Sequence, residues 1–330
     1  MVASKFGLRQ SPIIILGVDR SGTSLVGNIV HHWGAYGGDY TFLSEGDNGN
    51  PRGYWEYEGL GPFIRNFMRD AGVDFWHPSF VDIITKMGVN PLYRDVGLSL
   101  LSKMEEERKI WFWKEPALSF LLPFWKQIWG SATYIITVRN PYDSALSWQK
   151  YSIPKAEEGN ICIVAANLLR WQAIMLSILE GTQDCSSKHF IVYEELINNP
   201  RKQCQRLADF LSIEYQEKKI DDDRLEAMVA AVDSGLWRNR TVVPFEDIEL
   251  ATEHQKALYK FLLAKAEEPH KPFDTSQYTI YPGWREYLTN LSVLRSLYLR
   301  SKNDRTLLIN QQRIIELEAE IAMLRQPPTT

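Results

Sequence analysis

Residues 12–30, PIIILGVDRSGTSLVGNIV, constrain this chain most. Ile13, Ile14, Ile15 and Leu16 form an unbroken apolar run with three β-branched residues, the pattern of a parallel strand buried on both faces. Gly17 ends the run, residues 18–22 make a short turn, and a helix is expected over 22–33, ending near Gly34. Strand, glycine-bearing turn and helix aim backbone N–H groups and a helix N-terminus at a phosphate. The nucleotide-kinase pattern is G-x-x-x-x-G-K-S/T. Gly17, Gly22 and Ser24 fit it, but Thr23 stands where the lysine belongs, and the cation of the loop, Arg20, lies on the other side of Gly22. That placement suits the transferred group of a shorter, single-phosphate donor. An ordinary strand–turn–helix with a surface arginine would read the same way.

Further along, short apolar runs alternate with helical patterns, the signature of an α/β fold with a parallel sheet. Residues 110–116, IWFWKEP, read as a strand ending in Lys114 and Glu115; residues 134–138 read as another, followed by Arg139. Charges at the carboxyl ends of strands sit where ligands bind in such sheets, although a plain strand-end charge pair fits equally. Asn140 and Pro141 open a helix, and Arg139, Asp143 and Ser147 recur at four-residue spacing. A guanidinium there can bind two phosphate oxygens, Ser147 can add a hydrogen bond, and Asp143 suits orienting the arginine or its loop. Residues 188–196 read as a strand running into Tyr193, Glu194 and Glu195, and helices are expected over 119–129, 161–180 and 198–213. Arg238 and Arg240 flank a segment that either folds over an anion or is a solvated turn.

Residues 34–62 form a long irregular loop whose aromatics, Tyr54, Trp55 and Tyr57, argue for order. Its carboxylates Glu45, Glu56 and Glu58 are either general-base candidates or plain solvated acids. His31 and His32 fit a helix C-terminal cap better than a catalyst. From about residue 284 the chain becomes helical. Leu307, Ile314 and Ile321, with Asn310, Leu317 and Leu324, recur at seven-residue spacing, which suits a short dimeric coiled coil or one amphipathic helix. The expected division is a domain over 1–283 and a helical extension over 284–330.

The chain has 330 residues and a net charge of −4, so bulk charge gives no support for nucleic-acid or anionic-membrane binding, and any anion site must be local. The three cysteines, Cys162, Cys185 and Cys204, suggest neither a disulfide framework nor a zinc site. The start of the chain lacks the apolar segment of a secretory signal, and no stretch is expected to supply the roughly 18 apolar residues a membrane helix needs, so a cytoplasmic protein is expected.

These motifs together resemble a known family. GVDRSGTS at 17–24 resembles the 5′-phosphosulfate loop of sulfotransferases that use 3′-phosphoadenylyl sulfate, and VRNPYDSALS at 138–147 resembles their 3′-phosphate motif. IVYEELINNPRKQCQRLADFLSI at 191–213 is similar to a further family segment, while NPRGYWE at 50–56 and WKEP at 113–116 resemble a bacterial branch. The resemblance runs in order over residues 12–245. It implies a P-loop-like three-layer fold with a central parallel sheet flanked by helices. It also implies transfer of a sulfuryl group to a hydroxyl of a carbohydrate, lipid or small molecule, releasing 3′,5′-ADP without a metal. Ser21, Gly22, Thr23 and Ser24 would hold the 5′-phosphosulfate. Arg139 and Ser147 would hold the 3′-phosphate with Arg238 or Arg240, and Tyr193 would lie near the adenine. Arg20, then Lys114, would meet charge on the departing oxygen. The sequence departs from the pattern at Asp19, which needs a cation such as Lys114 beside it, at Arg20 in place of lysine, and at Glu115 in place of aspartate. No counterpart of the cytosolic members' histidine base is present, so a carboxylate is implied: Glu56, then Glu45, then Glu115. The rival readings are a P-loop kinase and a non-catalytic nucleotide-binding scaffold.

Overall fold

The computed structural model describes residues 11–38, 46, 50–57, 59–71, 91–106, 110–152 and 161–267. Four strands among them form one parallel sheet: β1 (Ile13–Leu16), β2 (Phe112–Lys114), β3 (Thr133–Val138) and β4 (Lys188–Val192), in the order β2-β1-β3-β4. The helices are α1 (Thr23–Trp33), α2 (Leu60–Ala71), α3 (Pro91–Glu106), α4 (Leu118–Trp129), α5 (Pro141–Ser152), α6 (Ile161–Thr182), α7 (Tyr193–Asn198), α8 (Pro200–Tyr215), α9 (Asp222–Ala230) and α10 (Glu253–Glu267).

Every strand residue is buried. A strand buried on both faces can carry consecutive apolar residues, which is why these segments do not alternate. Ile13, Ile15, Ile135 and Ile191 pack with Val26 and Ile29 of α1, Leu207 and Leu211 of α8, and Met228 of α9. On the opposite face, Trp113 beside Ile14 meets Trp125 and Trp129 of α4, with ring centroids 5.1 and 6.4 Å away. α4 packs in turn along α6. The molecule is therefore α/β, a parallel sheet between two helical layers.

The strand order places the site. The chain leaves β1 for β2 on one side and, after returning past β1, leaves β3 for β4 on the other. Connections that depart in opposite directions open a crevice at the carboxyl ends of β1 and β3. Arg20 and Arg139 follow those two ends.

Three expectations are revised. Tyr193, Glu194 and Glu195 do not end a strand; they form the first turn of α7, where acidic side chains favour the helix N-terminus. The long loop begins with an isolated parallel bridge from Tyr36 to Trp111, and α2 starts already at Leu60. Among the described residues one helix, Ile163–Thr182, is long and apolar enough to cross a membrane, contrary to expectation. It packs against α4, α5 and α10 and carries Arg170 in a half-buried ion pair. The proposed coiled coil and the boundary near 283 lie outside the described residues.

Candidate active site

At Gly22, which begins α1, φ is 93°, and an added Cβ would lie 2.5 Å from the Tyr193 ring. Only glycine fits that approach. No side chain caps α1, and the N–H groups of Thr23, Ser24 and Leu25 have no carbonyl one turn earlier within the helix. Gly22, Thr23, Ser24 and Leu25 line a cleft of about 310 Å³. Its walls also carry Arg20, Glu56, Lys114, Glu115, Arg139, Ser147, Tyr193 and Arg238.

The β3 end is tied to the β1 loop through its backbone. Arg139 donates from Nη1 to the Arg20 carbonyl at 2.7 Å and from Nη2 to the Asn239 carbonyl at 2.9 Å. Its guanidinium lies 4.6 Å from the Tyr193 ring centroid, and its buried Nε has no acceptor. Burial lowers its pKa, an effect opposed by Tyr193 and Asp143. Arg20 is in the left-handed region, φ 66°, a conformation that costs a non-glycine residue about 1–2 kcal/mol. The bond from Arg139 holds it there. The Arg20 side chain turns toward α5, donating from Nε to Ser147 Oγ at 3.2 Å and lying 5.2 Å from the Tyr151 ring.

Pro141 follows the Asn140 cap, whose side-chain oxygen accepts from the Tyr142 N–H at 2.9 Å. Asp143 faces the other way. It accepts from the Thr241 N–H at 2.9 Å and the Thr241 hydroxyl at 2.5 Å, so it orients the 238–241 segment against α5.

Across the cleft, Lys114 is almost wholly buried at the end of β2 and donates to Glu56 Oε1 at 2.5 Å. Glu115 accepts from the Ala117 N–H at 3.2 Å. Burial, then the nearby Glu56 carboxylate, pushes the Glu115 pKa from 4.5 to about 7, and Lys114 opposes the rise. A cation, a carboxylate and a carboxyl near its titration point thus share one wall, a set able to accept a proton and to stabilise developing negative charge.

Not every expected residue reaches the cleft. Ser21 does not line it: its N–H donates to the Val18 carbonyl at 3.1 Å, and its hydroxyl bonds that carbonyl and Thr137 Oγ1, both at 2.6 Å. It closes the turn instead. Arg240 is also absent from the lining and stacks on Trp237 at 4.5 Å. Asp19 does face a cation, but it is Arg170, since Lys114 is taken by Glu56. Glu45 and Glu58 lie outside the described residues.

Sequence reasoning passed over Arg52, which donates to the Ala231 carbonyl at 3.0 Å and Asp233 at 3.2 Å and so straps residues 50–56 to the end of α9. It also passed over Arg170. The available signal was that Arg170 is the one charged residue between positions 161 and 178 of an apolar helix, and such a charge needs a partner. Among the described residues, no group of three or more His, Cys, Asp or Glu is placed to hold a metal ion.

A model of the sulfotransferase family matches residues 12–217, a span that contains Arg20, Glu56, Lys114, Arg139, Ser147 and Tyr193. No curated protein matches the chain. Among solved structures, the chain is similar to the sulfotransferase domain of the curacin biosynthetic pathway, at 14% identity and TM-score 0.45, covering 77% of this chain and 97% of that one. It is also similar to the sulfotransferase domain of the Synechococcus PCC 7002 olefin synthase, at 17% identity and TM-score 0.48, covering 77% and 94%. A sulfotransferase from Mycobacterium avium matches at 12% identity and TM-score 0.45, covering 78% and 76%. The family match spans the whole sheet and both crevice loops, and on that ground the chain belongs to the sulfotransferase family.

Proposed function

We propose that the cleft binds 3′-phosphoadenylyl sulfate across the ends of β1 and β3 and passes its sulfuryl group to a hydroxyl of a carbohydrate, lipid or small-molecule acceptor, leaving 3′,5′-ADP. The observation that carries this reading is the meeting of Arg20 and Arg139, 119 residues apart, in one cleft. The first-turn N–H groups of α1, with the Thr23 and Ser24 hydroxyls, suit the 5′-phosphosulfate. Arg139, Ser147 and Arg238 suit the 3′-phosphate. Tyr193 supports both ends, because its ring packs on Gly22 and on Arg139.

In the transfer, the bond from the acceptor oxygen to sulfur forms as the bond from sulfur to the phosphate oxygen breaks. The acceptor proton passes to a carboxylate, and negative charge grows on the departing oxygen. Glu56 is the first choice of base, since it lines the cleft and is the more exposed partner of its ion pair, 24% against 2% for Lys114. When Glu56 takes the proton, the Lys114 ammonium is released to face the developing charge. Arg20 is the second cation, once it leaves Ser147. Tyr54, Trp55, Trp148 and Tyr151 line the cleft and offer flat surfaces to the acceptor.

The test uses sulfur-labelled donor with a panel of phenols, sugars and long-chain alcohols. Glu56→Gln should reduce turnover by roughly 10²–10⁴-fold while 3′,5′-ADP still binds. Undiminished turnover in this variant would remove Glu56 from the base role.

A further inference from the structure

Arg170 projects from α6 to pair with Asp19, and the two side chains are 17% and 16% exposed. Its guanidinium also lies 4.3 Å from the ring centroid of Trp148, the residue after Ser147. Asp19 and Trp148 line the cleft, whereas Arg170 stands behind them. Asp19 immediately precedes Arg20 and shares a wall with Gly22, Thr23 and Ser24. A carboxylate at that point repels any anion drawn to the loop unless its charge is cancelled in place. The cleft already holds Glu56 and Glu115, and Asp19 is near enough to add to the upward push on the Glu115 pKa.

We propose that Arg170 is a positioning residue for anion binding in this cleft. It neutralises Asp19 and holds it against α6, with Trp148 packed on its guanidinium from α5. The β1 loop is then anchored on both sides of its left-handed residue: Arg170 holds the Asp19 side chain and Arg139 holds the Arg20 carbonyl. The phosphate end of the cleft keeps its positive character through a residue that never touches the ligand. This inference rests on the donor reading above.

Charge compensation separates this role from a merely structural one. The experiment measures 3′,5′-ADP affinity of four proteins by calorimetry: wild type, Arg170→Gln, Asp19→Asn/Arg170→Gln and Arg170→Lys. Arg170→Gln should bind on the order of tenfold or more weakly, because the Asp19 charge is left bare. The double variant, with both charges gone, should recover to within about threefold of wild type, and Arg170→Lys should stay close to wild type. Recovery in the double variant supports the proposal even if Arg170→Gln folds poorly. A double variant as weak as Arg170→Gln overturns it, as does an Arg170→Gln protein that binds like wild type. A wild-type protein that binds no 3′,5′-ADP overturns the donor reading and this inference together, and is thereby distinct from a failure of the inference alone.

Discussion

At the residue scale, Glu115 carries the clearest perturbation among the described carboxylates. Its folded-state pKa is raised from 4.5 to about 7 by burial and by Glu56. The folded protein therefore binds this proton more tightly than the unfolded chain does. Its contribution to stability is complete below about pH 4.5 and is lost as pH rises toward 7. Glu115→Gln removes that dependence. Unfolding by urea should show the wild type losing stability between pH 5 and pH 7.5 relative to the variant; parallel curves would mean that Glu115 is not perturbed. Glu115 was legible in the sequence as a strand-end charge, but its protonation was not, because burial and the Glu56 contact depend on a loop that begins more than fifty residues earlier.

The loop between β1 and α1 works as an element because Gly22 and Tyr193 share one space. Gly22→Ala would place a methyl group 2.5 Å from the Tyr193 ring at φ 93°. It should cost about 2 kcal/mol or more, read as a lower unfolding midpoint. Removing the ring in Gly22→Ala/Tyr193→Ala should make the losses less than additive, whereas strict additivity would deny the contact. The 238–241 segment is held the same way. Asp143→Ala removes both acceptor bonds to Thr241. Hydrogen exchange at the Thr241 amide should quicken by at least roughly tenfold, corresponding to about 1.4 kcal/mol or more of lost protection. Unchanged exchange would show that the segment is held by other contacts. The alternation of strand and helix was readable from apolar runs and glycine, since those signals are local. The strap made by Arg52 was not, since its acceptors, the Ala231 carbonyl and the Asp233 carboxylate just past α9, are ones any arginine of the loop could reach as far as sequence tells. Ser21 illustrates the converse: the motif shows a serine in the loop, but not that its N–H and hydroxyl turn back onto the Val18 carbonyl.

For the molecule as a whole, the strand order converts two distant motifs into one site. β1 and β3 are neighbours whose connections leave in opposite directions, so residues following them must face each other across the crevice. Sequence supplied the two motifs and their order, while the pairing of Asp19 with Arg170 emerged only from the packing of α6 beside α5. The two proposed anion subsites make a distinction that a kinase or an inert scaffold would not: on that reading they need a phosphate at each end of the ligand, and the loop has Thr23 where a kinase lysine would stand. Thermal denaturation should therefore show stabilisation by 3′,5′-ADP without magnesium and none by ATP with magnesium. The reverse order would favour a phosphotransferase.

The most direct measurement compares 3′,5′-ADP with 5′-AMP by titration calorimetry, in the wild type and in Arg139→Ala. The two ligands differ only in the 3′-phosphate. The wild type should bind 3′,5′-ADP at least about tenfold more tightly, a difference of roughly 1.4 kcal/mol, and the variant should lose most of that gap. A wild type that binds both ligands equally, or a gap that survives the loss of Arg139, would contradict a cleft built to hold both ends of one nucleotide.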